Sequence, residues 1–242
     1  MKDKKAQLGI LIIVLIIIAI GAGVYFYSTS SSQTGNEGRV VFTITDAAAD
    51  MQGVTQVQVT VDNMQAHSTT EGWVTLSSTS QTYNLLELKS ENKLEIIADA
   101  NISAGTYDQV RMDISQVTVV DSNGSHEAKL PSGELKIFTQ LEVNANSTST
   151  ATFDFIADES LHITGNGKYI LAPVIQVETR ADAQVTSDGQ VAISNGRVTS
   201  NIKVGMDEKG NVGVGLGIAS NSSLEIDVGG IKVGSNALIG VN

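Results

Sequence analysis

His67, His126 and His162 are the chain's only imidazoles, and cysteine is absent, so metal binding and proton transfer fall to them and to the carboxylates. The three lie far apart, with none of the short spacings that bring two imidazoles onto one metal, and they read as solvated or edge residues. Asp46, Asp50, Asp154, Asp158 and Glu159 are hard oxygen donors that would suit calcium if their loops converge, although nothing resembles an EF-hand loop. No G-x-S-x-G nucleophile elbow occurs. Gly213, Gly215 and Gly217 have the spacing of a dinucleotide loop but lie in a period-two stretch with no helix behind it. Gly165-Asn166-Gly167-Lys168 is not a phosphate loop: Tyr169 stands where a metal-binding hydroxyl is needed, and His162 replaces the leading glycine. The reading is of a non-enzymatic protein with no catalytic, cofactor-binding or metal-ligating residue. Four sequons, at Asn101, Asn123, Asn146 and Asn221, fall in expected turns and make glycan attachment geometrically possible. Trp73, the lone tryptophan, reads as a core or edge packing residue.

These side chains must be carried by a chain of 242 residues with net charge −11. Residues 8–27, LGILIIVLIIIAIGAGVYFY, form an uncharged apolar run behind Lys2, Lys4 and Lys5. At helical rise such a run is about 30 Å long, the thickness of a bilayer's hydrocarbon core. With basic residues only on its N-terminal side, it is expected to hold the N-terminus in the cytoplasm and to place the rest outside the cell. Membrane lipid around residues 8–27 is the first expected partner. Tyr25, Phe26 and Tyr27 suit the outer membrane interface, and their bulk argues against signal-peptide cleavage there. Residues 1–27 are therefore read as a retained signal anchor. A second reading stays open. Lys4-Lys5-Ala6-Gln7-Leu8 is similar to the processing site of archaeal type IV pilin-like precursors, with cleavage between Ala6 and Gln7. The freed helix would then pack into a filament.

Beyond the leader, 12 basic and 25 acidic residues give a net charge of −13. That balance disfavours nucleic acid and anionic lipid as partners and keeps a surface protein soluble. Without disulfides, the exported part depends on its hydrophobic core. Residues 28–38, STSSSQTGNEG, lack apolar periodicity and read as a flexible linker.

From residue 39 to 180 the dominant signal is period two. Val57, Val59 and Val61 alternate with polar residues, after which the apolar phase shifts to Met64 and Ala66. Val110, Met112 and Ile114 are followed in the same way by Val117 and Val119. Each shift predicts a β-bulge. Further strands are expected at 39–45, 73–76, 82–86, 134–138, 150–155 and 169–179, and short helical turns at 93–99 and 158–162. Turn residues between them point to an antiparallel β-sandwich of immunoglobulin or transthyretin type.

The series ITDAAAD (44–50), VTQVQVTVDNMQAH (54–67), GWVTL (72–76), YNLLEL (83–88), AGTYDQVRMDI (104–114), PSGELKI (131–137), FDFIADESL (153–161) and GNGKYILAPVI (165–175) resembles the family called domain of unknown function 4382. The resemblance spans about 140 residues and excludes leader and tail. It implies an exported protein, tethered by membrane helix or lipid, of a kind found in archaea and bacteria. It carries over no catalytic residues, and this chain lacks the lipid-bearing cysteine of some relatives.

Residues 181–242 read as a Gly-rich β extension, with hairpin turns at Asp188-Gly189, Asn195-Gly196 and Lys209-Gly210-Asn211. Residues 212–218 are expected to form a strand with glycine at every second position. Such an extension needs something to pack on: the preceding domain, or another subunit through strand addition, for which residues 237–241 are suited. The functional expectation is a membrane-anchored extracellular cell-envelope protein serving as a structural, adhesion or binding module. Its partners would be further copies of itself or other envelope proteins. The alternatives are a pilin-like or strand-exchanging filament subunit, and an exported sugar- or calcium-binding protein.

Overall fold

The computed structural model describes residues 35–46, 51, 53–219 and 222–234. The expected membrane helix 8–27, Ala6 and Gln7, the aromatics Tyr25, Phe26 and Tyr27, most of the linker, Asp50, Asn221 and the segment 237–241 lie outside these residues. Among the described residues no helix is long and apolar enough to cross a membrane.

The described chain is mainly β. The first six-stranded sheet runs β14 (Val212–Gly213), β13 (Ala192–Met206), β12 (Val174–Thr186), β9 (Thr148–Phe155), β1 (Glu37–Asp46) and β5 (Glu95–Ser103). Its ladders are antiparallel except β1–β9, which is parallel. Because β1 is central, its apolar residues form a run: Val40, Phe42 and Ile44 fill the core, and Val41 and Thr43 between them are also buried.

In the second sheet β2 (Val54–Ser68) and β6 (Gly105–Asp121) are the long central pair. Along the free side of β2 lie β3 (Gly72–Ser77) and β4 (Gln81–Asn84), end to end. Along the free side of β6 lie β7 (Gly124–Glu127) and β8 (Glu134–Val143). Both expected bulges are present and adjacent. Val61 pairs with Ile114, with Ser115 extra on β6 on one side of that pair and Asp62 extra on β2 on the other. Val57, Val59, Val61, Met64, Ala66 and Ile114 are therefore all buried despite the shifts of phase. One hydrophobic cluster draws on both large sheets, including Phe42, Phe153 and Ile175 from the first and Val59, Met112 and Ile137 from the second.

Several local expectations need correction. Residues 93–99 do not make a helical turn: most of them belong to β5, whose residues pair with β1 from Ile44↔Glu95 to Glu37↔Ser103. The helix lies earlier, at Leu85–Glu91, where the strand expected to run to residue 86 has already ended. Leu85 and Leu88, three residues apart, put one turn of that helix onto the core, and Asn92 in the left-handed conformation (φ 49°) ends it. The strand expected at 169–179 is interrupted at Ala172-Pro173, giving β11 (Tyr169–Leu171) and then β12. A helical turn does form at Ala157–Ser160, followed by β10 (Leu161–Ile163), which pairs with β11.

In the tail, Asn195-Gly196 is not a hairpin turn. Both residues have positive φ within β13, opposite Asp182 (φ 57°), and the β12–β13 ladder runs through them instead of reversing. Past Gly213 the glycine-alternating segment turns away: Gly215 has φ 75°, and Val214 and Leu216 are exposed. Strand β12 runs without a break across residue 180, and β13 pairs along it, so the tail packs on the preceding domain. Its last described part, the hairpin β15 (Ser223–Asp227) and β16 (Gly230–Gly234), closes a small second core of Ile170, Ala172, Ile218 and Leu224.

Candidate functional site

Directly opposed residues of an antiparallel ladder share a face, so register alone identifies what the outer face of the second sheet displays. Trp73 of β3 opposes His67 of β2, His67 opposes Gln109 of β6, and Gln109 opposes Phe138 of β8. One row across four strands therefore carries an aromatic at each end. At about 4.8 Å per strand its ends stand about 14 Å apart. The next row holds Thr75, Gln65, Arg111 and Lys136.

Trp73, expected to pack in the core or at an edge, packs at an edge. Its ring covers the Arg111 guanidinium at 4.1 Å from the ring centroid, and the Arg111 Nε is sealed from solvent. Yet Trp73 lies on an edge strand outside the core and keeps 37% of its surface exposed, while Phe138 keeps 66%. The indole thus lies over the cation and keeps a little over a third of its surface toward water. His67 packs against its side, centroids 5.1 Å apart.

The polar groups of this face are held in place. His67 Nδ1 is 2.7 Å from Asp108 Oδ1, which favours the proton on Nδ1 and leaves Nε2 of the neutral ring an acceptor. Arg111 Nε stands 3.1 Å from Glu134 Oε2, and Lys136 Nζ 2.6 Å from Glu134 Oε1, so one carboxylate serves both cations. Asn63 donates to Asp113 at 3.0 Å. A flat aromatic surface edged by fixed donors and acceptors can stack the apolar face of a ring-shaped ligand and hydrogen-bond its hydroxyls.

The histidines are not brought together. His126 Nε2 is 3.0 Å from Asp121 Oδ1, while Tyr169 donates its hydroxyl to Asp121 Oδ2 at 2.8 Å and the Asn123 amide donates to Oδ1 at 2.7 Å. The Tyr169 hydrogen bond, followed by those of Asn123 and His126, holds the Asp121 pKa down to about 2. Burial and then Asp121 push Tyr169 up. His162 lies in another part of the fold; its Nε2 is sealed from solvent without a partner, and burial pushes its pKa down.

Among the carboxylates weighed for calcium, Asp46 accepts a hydrogen bond from the Ala157 amide at 3.2 Å and Glu159 pairs with Lys203. Among the described residues no group of three or more His, Asp or Glu could hold a metal ion. Three sequon asparagines are exposed. Asn123 lies in a turn and Asn146 has φ 59°, but Asn101 lies in strand β5 opposite Arg39 and not in the turn expected there.

Architecture places the chain among mainly β proteins built from several sheets. It belongs to the domain of unknown function family DUF4382, whose profile matches residues 37–173. No curated protein and no solved structure matches it.

Proposed function

We propose that this protein is a membrane-anchored module of the cell envelope that binds saccharide on the outer face of its second sheet and has a non-enzymatic adhesive or structural role. In this reading the apolar run 8–27 anchors the chain and the β domain stands outside the cell. The two large sheets form a sandwich of immunoglobulin or transthyretin type, a reading supported by the core cluster they share.

The observation that carries the ligand class is the row Trp73–His67–Gln109–Phe138. It has an exposed aromatic at each end, with Arg111 and Lys136 beside it. A tryptophan on an edge strand, stacked on a half-buried guanidinium, contributes little to a core and is well placed to stack on a sugar ring. With a net charge of −11, the protein should favour neutral glycans over acidic ones. The exposed sequons Asn101, Asn123 and Asn146 are then candidates to carry glycans of their own.

Co-sedimentation of the full-length protein, in phosphatidylcholine nanodiscs, with insoluble neutral polysaccharides tests this reading. Retention by at least one polysaccharide is expected, with loss on Trp73→Ala. Retention by none, or undiminished retention of the variant, contradicts it.

A further inference from the structure

A second concavity, separate from the aromatic face, opens where β6 bulges at Ser115. It has a volume of about 580 Å³, within the range of ligand sites. Ile114, Val117, Leu130 and Ile226 give it apolar walls; Ser115, Gln116 and His126 supply polar groups, and Lys129, Lys168 and Glu127 supply charge.

The two lysines set this cleft apart. All four arginines of the chain, with Lys93, Lys136, Lys203 and Lys232, are engaged by carboxylates in this acidic protein. Among the described residues, Lys129, Lys168 and Lys209 have no ion-pair partner, and of these Lys129 and Lys168 line one cleft. Their backbones are fixed. The Lys129 amide donates to the Tyr169 carbonyl and the Lys129 carbonyl accepts from Leu171, both at 2.9 Å. Lys168 closes a turn with Thr164, whose hydroxyl accepts from the Lys168 amide at 2.8 Å. Two lysines are thus carried on fixed backbone at one cleft whose lining mixes apolar and polar side chains. Glu127 is the one carboxylate among the lining residues, and Asp121 stands behind them with its oxygens engaged by Tyr169, Asn123 and His126, so the two ammonium groups lack a dedicated counter-ion on a molecule that is otherwise strongly negative.

We propose that this cleft binds a small organic anion, with its carboxylate or phosphate group between Lys129 and Lys168 and its apolar body against Ile114, Val117 and Leu130. Ser115 and Gln116 supply further hydrogen bonds. The Tyr169–Asp121–His126 network keeps one side of the cleft rigid: Asp121 occupies the Tyr169 hydroxyl and the His126 Nε2, so neither is free to collapse onto the lysines.

Calorimetric titration of the full-length protein in phosphatidylcholine nanodiscs with benzoate, phenyl phosphate, inorganic phosphate and benzyl alcohol tests the proposal. Benzoate or phenyl phosphate should bind saturably with one site per chain. Inorganic phosphate should bind more weakly because it lacks the apolar body, and benzyl alcohol should not bind. Preference for benzoate identifies a carboxylate ligand, and preference for phenyl phosphate a phosphate ester. In the Lys129→Gln, Lys168→Gln double variant the dissociation constant should rise at least tenfold. Lys93→Gln, which removes a paired lysine elsewhere, should leave it unchanged. Both sets of lysines are surface residues, and matching thermal melts will verify that the variants fold. Absence of saturable binding by either aromatic anion, equal binding of benzyl alcohol, or unchanged affinity in the double variant overturns the proposal.

Discussion

The Trp73 ring lies 4.1 Å over the Arg111 guanidinium, joining edge strand β3 to the central strand β6 across β2. Since neither residue belongs to the hydrophobic core, the contact should matter more to the surface than to the fold. Trp73→Ala should cost only about 0.5–1 kcal/mol of stability, the worth of an exposed cation–π contact. Loss of saccharide affinity should be tenfold or more. Urea denaturation and ligand titration of the same variant separate the two effects; a loss of several kcal/mol with unchanged binding would make Trp73 a structural residue.

Phe42 and Phe153 stack at 6.0 Å between centroids on the parallel β1–β9 pair, and both are fully buried. Phe153→Ala should destabilise the fold by about 3–5 kcal/mol, through lost burial and the cavity left behind. The urea midpoint should fall with little change in the denaturant slope. A loss under about 1 kcal/mol would mean that this layer is not the core.

Asp121 should give the molecule a defined acid response. Its folded pKa is depressed to about 2 from an ordinary value near 3.8, chiefly by the Tyr169 hydrogen bond. The stability this contributes is present above the unfolded pKa and is lost as pH falls through the folded one. Melting temperature should therefore decline between about pH 4 and pH 2, and Asp121→Asn should flatten that part of the profile. An unchanged acid limb in the variant contradicts the assignment.

Gly189 and Gly196 have nearly the same backbone angle, φ 79° and 75°, but different surroundings. A Cβ at Gly189 meets nothing within 4 Å, whereas one at Gly196 falls 2.7 Å from the Ala181 carbonyl oxygen. Gly189→Ala should cost about 1 kcal/mol for the left-handed backbone alone. At Gly196 the same change should cost more, because β12 must move as well. Thermal melts of the pair test this ordering, and equal losses would remove the close approach of β13 to β12 at Gly196 as a structural constraint.

The long strands could be read from sequence because alternation and its phase shift are local. Val61 to Met64 and Ile114 to Val117 each locate a bulge, and the structure puts the two side by side. Strand β5 was not legible: Ile96 and Ile97 are adjacent, and the strand is set by its pairing with β1. The helix Leu85–Glu91 was hidden in an apolar run that suits a strand as well, its three-residue spacing of Leu85 and Leu88 being the one cue. The aromatic face was out of reach because Trp73, His67, Gln109 and Phe138 come from four strands. Only register, a property of the folded sheet, aligns them. The lysine cleft was hidden for a related reason, since the Lys129 backbone pairs with Tyr169 and Leu171, which follow Lys168 in a distant segment.

Because Trp73 is the only tryptophan in the chain, its emission reports on the proposed binding face alone. Titrating the full-length protein with linear neutral hexasaccharides while following that emission tests the central claim most directly. A saturable change in intensity and wavelength for at least one hexasaccharide, with affinity lowered at least tenfold by Phe138→Ala at the far end of the row, is the predicted result. Saccharide binding that leaves the emission untouched, or no binding by any hexasaccharide, would contradict the account.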